Sequence, residues 1–274
     1  MIAALTFDVD CQTYTGATYV PMPEELEMAL ATLLPVFDRH PKWVATWFLR
    51  IDPDVDLFGL QAKLLGDLVR RGHSLAWHYH GPASRIGEFA RQARRHGLEV
   101  SRIGFGRGSN RTFRTLSEAG FKIDSTAMPR PTYPWSKRGV DWTGSPDGPF
   151  HPSAADYRVP GRPALDLLEL PISCTTVAAP GDTQPVVRYL NLAYHPRMFK
   201  PALEQWAREH DHLVTITHPY ELVQGPLHRL LAFETAALEE NVMSIESTAR
   251  SRGGCEFVTL AEMAARLPVE ANRA

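Results

Sequence analysis

Cysteine is scarce in this 274-residue chain, and the three present, Cys11, Cys174 and Cys255, are odd in number and far apart. Such spacing excludes a disulfide framework and a zinc knuckle as the organising device, and Cys11 reads best as a small buried hydrophobe. Neither sign of charge dominates, with 29 Lys and Arg against 31 Asp and Glu. A global attraction to nucleic acid or to an anionic membrane is therefore not expected. Apolar runs are short, and none approaches the roughly 20 residues needed to cross a bilayer. The N-terminus lacks a basic segment leading into an apolar one with a cleavage site and enters a strand-like run at once, which predicts a cytoplasmic protein. No repeat, charge block or low-complexity tract divides the chain. With 44% apolar residues, one α/β barrel of roughly 250 residues is an ordinary outcome. Residues 1–268 are expected to form that domain, followed by a short tail at 269–274.

Short apolar runs alternate with amphipathic ones. Strands are expected at 3–7, 44–49, 74–77, 102–105, 121–123, 166–172, 213–217 and 256–259, and helices at 23–39, 57–71, 84–96, 111–119, 197–210 and 227–252. This alternation implies βαβ units and a mostly parallel sheet. Gly72, Gly97 and Gly120 stand where left-handed helix caps belong, and Asn110 is placed to cap the helix that ends at Gly120. The segment 129–163 has no clean period and is dense in Pro, Gly and aromatic residues. Loops that long usually cover or shape a site.

Four strand ends carry residues suited to chemistry. Asp8 and Asp10 close the first strand, and a side-chain period of two puts both carboxylates on one face. Two like charges so close ask for a cation, a shared proton or plain solvent. His78 and His80 end the third strand with the same spacing. Two imidazoles and a carboxylate would leave positions open on a zinc-like ion, although histidines at such places also serve as polar core or loop residues. Arg107 follows the next strand and could hold a carboxylate by a forked pair. His218 ends the β-branched run 214–217. In a parallel sheet all four ends share the C-terminal edge, where such folds place their sites.

In this order the motifs resemble the NodB-type polysaccharide deacetylases, carbohydrate esterase family four. Thr6-Phe7-Asp8-Val9-Asp10 is similar to the first family motif, Gly72-His73-Ser74 through His80 to the histidine motif, and Arg107 with Thr115 through Ser125 to the third. Glu169-Leu170-Pro171-Ile172 resembles the fourth, and Thr217-His218-Pro219-Tyr220-Glu221 the fifth. The resemblance implies a distorted (β/α) barrel of about seven strands with a divalent metal, usually Zn2+. It implies Asp8 as general base, Asp10 and His78 as metal ligands, Arg107 orienting Asp8, and His218 as general acid. Three departures distinguish this chain. Val9 separates the two aspartates, as in some peptidoglycan deacetylases and lipid-linked sugar deformylases. Pro82 stands where the second histidine usually falls, leaving His80 as the nearest substitute and His73 in reserve. Gly108, Ser109 and Asn110 replace the usual Pro-Tyr after the arginine.

The expected function is metal-dependent removal of an N-acetyl or N-formyl group from a sugar of a bacterial surface glycan or its precursor. Trp77, Tyr79 and the aromatics of 129–163 are candidates for stacking on a sugar ring. A non-catalytic glycan-binding or scaffold member of the same fold is one alternative, and an amidohydrolase acting on a non-sugar amide or ureide is another.

Overall fold

The computed structural model describes residues 1–14, 19–21, 24–129, 140–179, 181–223, 225 and 229–270. Its frame is a sheet whose parallel strands run β11 (His212–Val214), β1 (Ile2–Val9), β4 (Ala45–Arg50), β5 (Ser74–Tyr79), β6 (Val100–Ile103), β7 (Ile123–Asp124) and β8 (Leu168–Glu169), with β12 (Glu256–Phe257) also pairing β1. The seven-strand path curls into a distorted α/β barrel. Its ends meet where Ser173 N–H donates to the Val214 carbonyl at 2.9 Å and Ser173 Oγ accepts from Val214 N at 2.9 Å. Two hairpins lie outside this frame, β2 (Gln12–Tyr14) with β3 (Tyr19–Pro21) and β9 (Cys174–Val177) with β10 (Val186–Tyr189). Neither was expected from the residue pattern, because their strands are only three or four residues long.

Helices wrap the outside. Helix α1 (Glu25–Arg39) buries Leu26, Ala29, Leu30, Leu33, Val36 and Phe37, an i, i+3, i+4 stripe that needs a hydrophobic wall to be stable. It finds one in Phe7 and Trp47, whose rings stack at 4.7 Å. Each such side chain contributes roughly 1.5–3 kcal/mol on burial. The single helix expected at 57–71 is two, α2 (Leu57–Leu60) and α3 (Ala62–Arg70), broken at Gln61. Then come α4 (Ile86–Arg95), α5 (Asn110–Glu118), α6 (Pro196–Glu209), α7 (Thr235–Ala249) and α8 (Leu260–Ala264). Ser109, not Asn110, caps α5, its Oγ accepting from Thr112 N at 3.1 Å. Asn110 instead donates to the Ala155 carbonyl at 2.6 Å and accepts from Tyr157 N at 2.8 Å, tying the long connection to the barrel.

The period of two sorts each strand between barrel interior and helical layer. In β1, Phe7 and Val9 enter the core beneath α1, leaving Thr6 and Asp8 on the opposite face. In β5, Trp77 and Tyr79 pack under α4, while Ala76 packs with the interior residues Phe48 and Val100 and His78 takes the same side. No helix among the described residues is long and apolar enough to cross a membrane.

Candidate active site

Asp8, Asp10, His78, His80 and His218 come together at the C-terminal ends of β1, β5 and β11. The Asp10 Oδ1 atom lies 2.9 Å from His78 Nε2 and 3.1 Å from His80 Nε2, and the two imidazole nitrogens are 2.7 Å apart. His78 Nδ1 sits 3.0 Å from the Arg102 carbonyl. A carbonyl only accepts, so Nδ1 carries a proton, which in the neutral ring leaves the Nε2 lone pair facing the cluster. Burial lowers the His80 pKa and outweighs the pull of Asp10, which favours the neutral ring that a ligand needs.

These donors fit a divalent cation. Asp10 Oδ1 is buried and receives no hydrogen bond from any properly oriented donor, and Asp10, His78 and His80 form a metal-compatible group among the described residues. Burial works to raise the Asp10 pKa, but His80 and His78 hold the carboxyl well below its ordinary value. A carboxylate facing two imidazole lone pairs is a ligand set that leaves coordination positions open for water and substrate. Outer partners fix its aim. Gln12 Nε2 donates to Asp10 Oδ2 at 3.0 Å, and Arg50 Nη1 to the Asp10 carbonyl at 2.9 Å. His73, the reserve ligand, lies elsewhere: its Nδ1 accepts from Ala45 N at 3.0 Å, and its ring packs 4.5 Å from that of Phe37.

Asp8 stands apart from the three, its Oδ2 3.9 Å from His78 Nε2. Its other oxygen receives Arg102 Nη1 at 2.7 Å. The expectation that Arg107 would orient Asp8 is corrected here. Strand β6 ends at Ile103, and the turn Gly104–Gly106, with Phe105 at φ 60, carries the chain outward before Arg107 is reached. Arg102 lies inside the barrel, paired in register with His78. Its guanidinium also donates to the Thr6 hydroxyl at 2.7 Å, the Ser125 carbonyl at 2.7 Å and Ser125 Oγ at 2.9 Å, and stacks 4.0 Å from the Phe48 ring centroid. A charge so deeply buried needs such complete pairing. The signal that could have found it was an arginine at an inward position of an otherwise uncharged strand.

His218 lies across the cluster with Nε2 3.8 Å from Asp10 Oδ2 and Nδ1 3.3 Å from Glu221 Oε2. Burial opposes its protonation, but Glu221, and then Asp10 and Asp8, push its pKa up to about 10. Glu221 is itself aimed by Asn191 Nδ2 and His218 N, each at 2.8 Å. A second unanticipated carboxyl, Glu25, is buried beneath the site and accepts from Gln12 N at 3.2 Å and Tyr220 N at 3.3 Å. It thereby joins the segment after Asp10 to the turn after His218. Burial, then the nearby Asp10, raises its pKa well above the ordinary value.

Other motif residues face away. Glu169 accepts from Thr126 N at 3.0 Å and Ala127 N at 2.7 Å. It sits with Asp124 on the face opposite Ile123 and Leu170, and burial followed by repulsion from Asp124 raises its pKa well above normal. Trp77, Tyr79, Trp142 and Phe150 are fully buried, so the expectation that they stack on a sugar fails; strand alternation and core packing claim them. Tyr133 and Trp135 lie outside the described residues.

No protein-family model matches the chain, and no curated protein matches it in sequence. Among solved structures it is similar to a "putative polysaccharide deacetylase" from Mycobacterium smegmatis, with 19% identity, a TM-score of 0.56, and coverage of 100% of this chain and 94% of that one. The chain shares that protein's fold. At this identity the likeness concerns architecture, and the chemistry has to be argued from the residues.

Proposed function

We propose that the protein is a metal-dependent N-deacylase that removes an acetyl or formyl group from an amino sugar of a bacterial surface glycan or its precursor. The observation that carries this reading is the convergence of Asp10 Oδ1, His78 Nε2 and His80 Nε2 beside a separately held Asp8. A binding protein has no need of a carboxylate kept out of the ligand set and aimed by a buried arginine.

Asp10, His78 and His80 would hold the ion, with Zn2+ the natural choice for one carboxylate and two imidazoles. When bound, such an ion supplies Lewis acidity and makes water a usable nucleophile near neutral pH. Asp8 accepts the proton of the attacking water as general base, and Arg102 keeps that carboxylate pointed. His218, protonated through its pairing with Glu221, delivers a proton to the departing amine nitrogen. Splitting an amide needs this last step because an unprotonated amine anion is a very poor leaving group.

Amine release from N-acetyl and N-formyl amino sugars, with small ureides as controls, tests the reading. Replacing Asp8 by Asn keeps an oxygen acceptor for Arg102 and should lower kcat by about 10²–10⁴-fold. Wild-type turnover by Asp8→Asn, or activity confined to the ureides, would rule it out.

A further inference from the structure

A cavity of about 180 Å3 opens beside His80, walled by Tyr79, Ile86, Ile103, Arg107, Ser109 and Thr112 among others. Among the described residues its wall contains no carboxylate and one fixed cation, Arg107. Arg107 is exposed, and among the described residues no carboxylate lies within ion-pair distance of it; its guanidinium carbon rests 4.9 Å from the Phe105 ring centroid. The Ser109 hydroxyl is already engaged by Thr112, so Arg107 is the group left to recognise a ligand.

The segment that presents it is rigidly held. A Cβ at Gly104 would fall within the His80 ring, and one at Gly108 within the Tyr157 ring. Trp142 Nε1 donates to the Gly106 carbonyl at 2.9 Å. Phe105 adopts φ 60, a conformation costly for a bulky side chain and one that persists only where surroundings enforce it. The result is an exposed phenyl ring that contacts both His80, at 4.6 Å between ring centroids, and the Arg107 guanidinium. Strain and close packing are being used to place one aromatic and one cation beside the metal ligands.

A neutral N-acyl sugar gives that cation nothing to pair with. We propose that Arg107 selects an acylated amino sugar bearing an anionic group, a carboxylate or a phosphate, that reaches this cavity when the amide lies at the Asp10, His78 and His80 cluster. The inference rests on the deacylase reading for the identity of the sugar, but the anion site is a matter of binding and is separable from turnover.

Calorimetric titration of Asp8→Asn protein, in which hydrolysis is suppressed, provides the test. The probes are N-acetylglucosamine, N-acetylmuramic acid as the carboxylate arm and N-acetylglucosamine 6-phosphate as the phosphate arm. A charge-assisted pair predicts that at least one anionic sugar binds about 10–100-fold more tightly than the neutral one. The arm that shows the preference identifies the anion. Adding Arg107→Gln should bring the anionic sugars to within about two-fold of the neutral sugar. Arg107 is exposed, so this change does not threaten the fold. Equal binding of all three sugars, a preference that survives Arg107→Gln, or no binding at all would overturn the proposal. An Arg107-dependent preference in a protein whose wild type releases no amine would instead overturn the hydrolase reading and leave the anion site standing.

Discussion

His218 shows how one neighbour decides what a residue can do. An imidazole in a partly buried site ordinarily loses its proton on desolvation, yet the Glu221 carboxylate at 3.3 Å reverses that tendency. A cation held by Asp10 would offset part of the remaining pull and bring the value down, leaving Glu221 as the dominant partner. If protonated His218 is the acid, kcat/KM falls as pH rises through its pKa. Glu221→Gln keeps the acceptor for Asn191 and His218 N but removes the charge, so the imidazolium loses its partner and its pKa drops. The alkaline limb of the profile should then move to lower pH by about 1–3 units. A limb that stays in place would remove His218 from the proton-donor role. At this same scale the sequence was partly legible. Asp8, Asp10, His78, His80 and His218 stand at strand ends, where spacing alone marks them. Arg102 lies within a strand, where its importance depends on which way it points and on what Thr6, Asp8 and Ser125 offer from other strands.

Just before strand β5, and bonded to the start of its neighbour β4, lies a different histidine whose work is structural. His73 Nδ1 accepts from Ala45 N at the start of β4, and burial, assisted by the nearby Arg71, lowers its pKa from 6.5 to about 4. Between these values the unfolded chain binds a proton that the native protein refuses. Stability is therefore full above pH 6.5 and is lost as pH falls toward 4, with a cost of about 2 kcal/mol at pH 5. His73→Gln retains an acceptor but cannot titrate. The difference in urea midpoint between pH 7 and pH 5 should shrink in this variant, and an unchanged difference would place the acid sensitivity elsewhere. The elements themselves were largely readable, because an apolar stripe such as that of α1 has one stable use. The capping of α5 was misread by one residue, since Ser109 and Asn110 are equally good caps and only the tie from Asn110 to Ala155 and Tyr157 separates them.

Across the whole molecule, the proposed ligands come from β1 and β5, with β4 between them in the sheet. An ion bound there would therefore join the N-terminal strand to the middle of the barrel and exist as a site only in the folded chain. At about 100 times its Kd, such an ion stabilises by about 2.7 kcal/mol, enough to raise Tm by about 5 °C or more in a domain of this size. Zn2+ added to metal-stripped protein should produce this shift and EDTA should reverse it. Asp10→Ala and His78→Ala should each abolish it. A shift of equal size in both variants would mean that the ion binds somewhere else.

The residue order alone determined that strands and helices alternate, that the strands run parallel, and that two aspartates and three histidines fall at strand ends along one edge. Those properties follow from local periodicity and from the directionality of βαβ units, which the chain carries in every segment. Three-dimensional packing alone decided that Arg102 rather than Arg107 meets Asp8, that His80 rather than His73 joins Asp10 and His78, and that Glu25 and Glu221 support the site from below. Each of those outcomes depends on a turn after a strand end or on contact between segments up to about two hundred residues apart. A two-residue period says which face a side chain takes, but only the closed barrel brings that face opposite another.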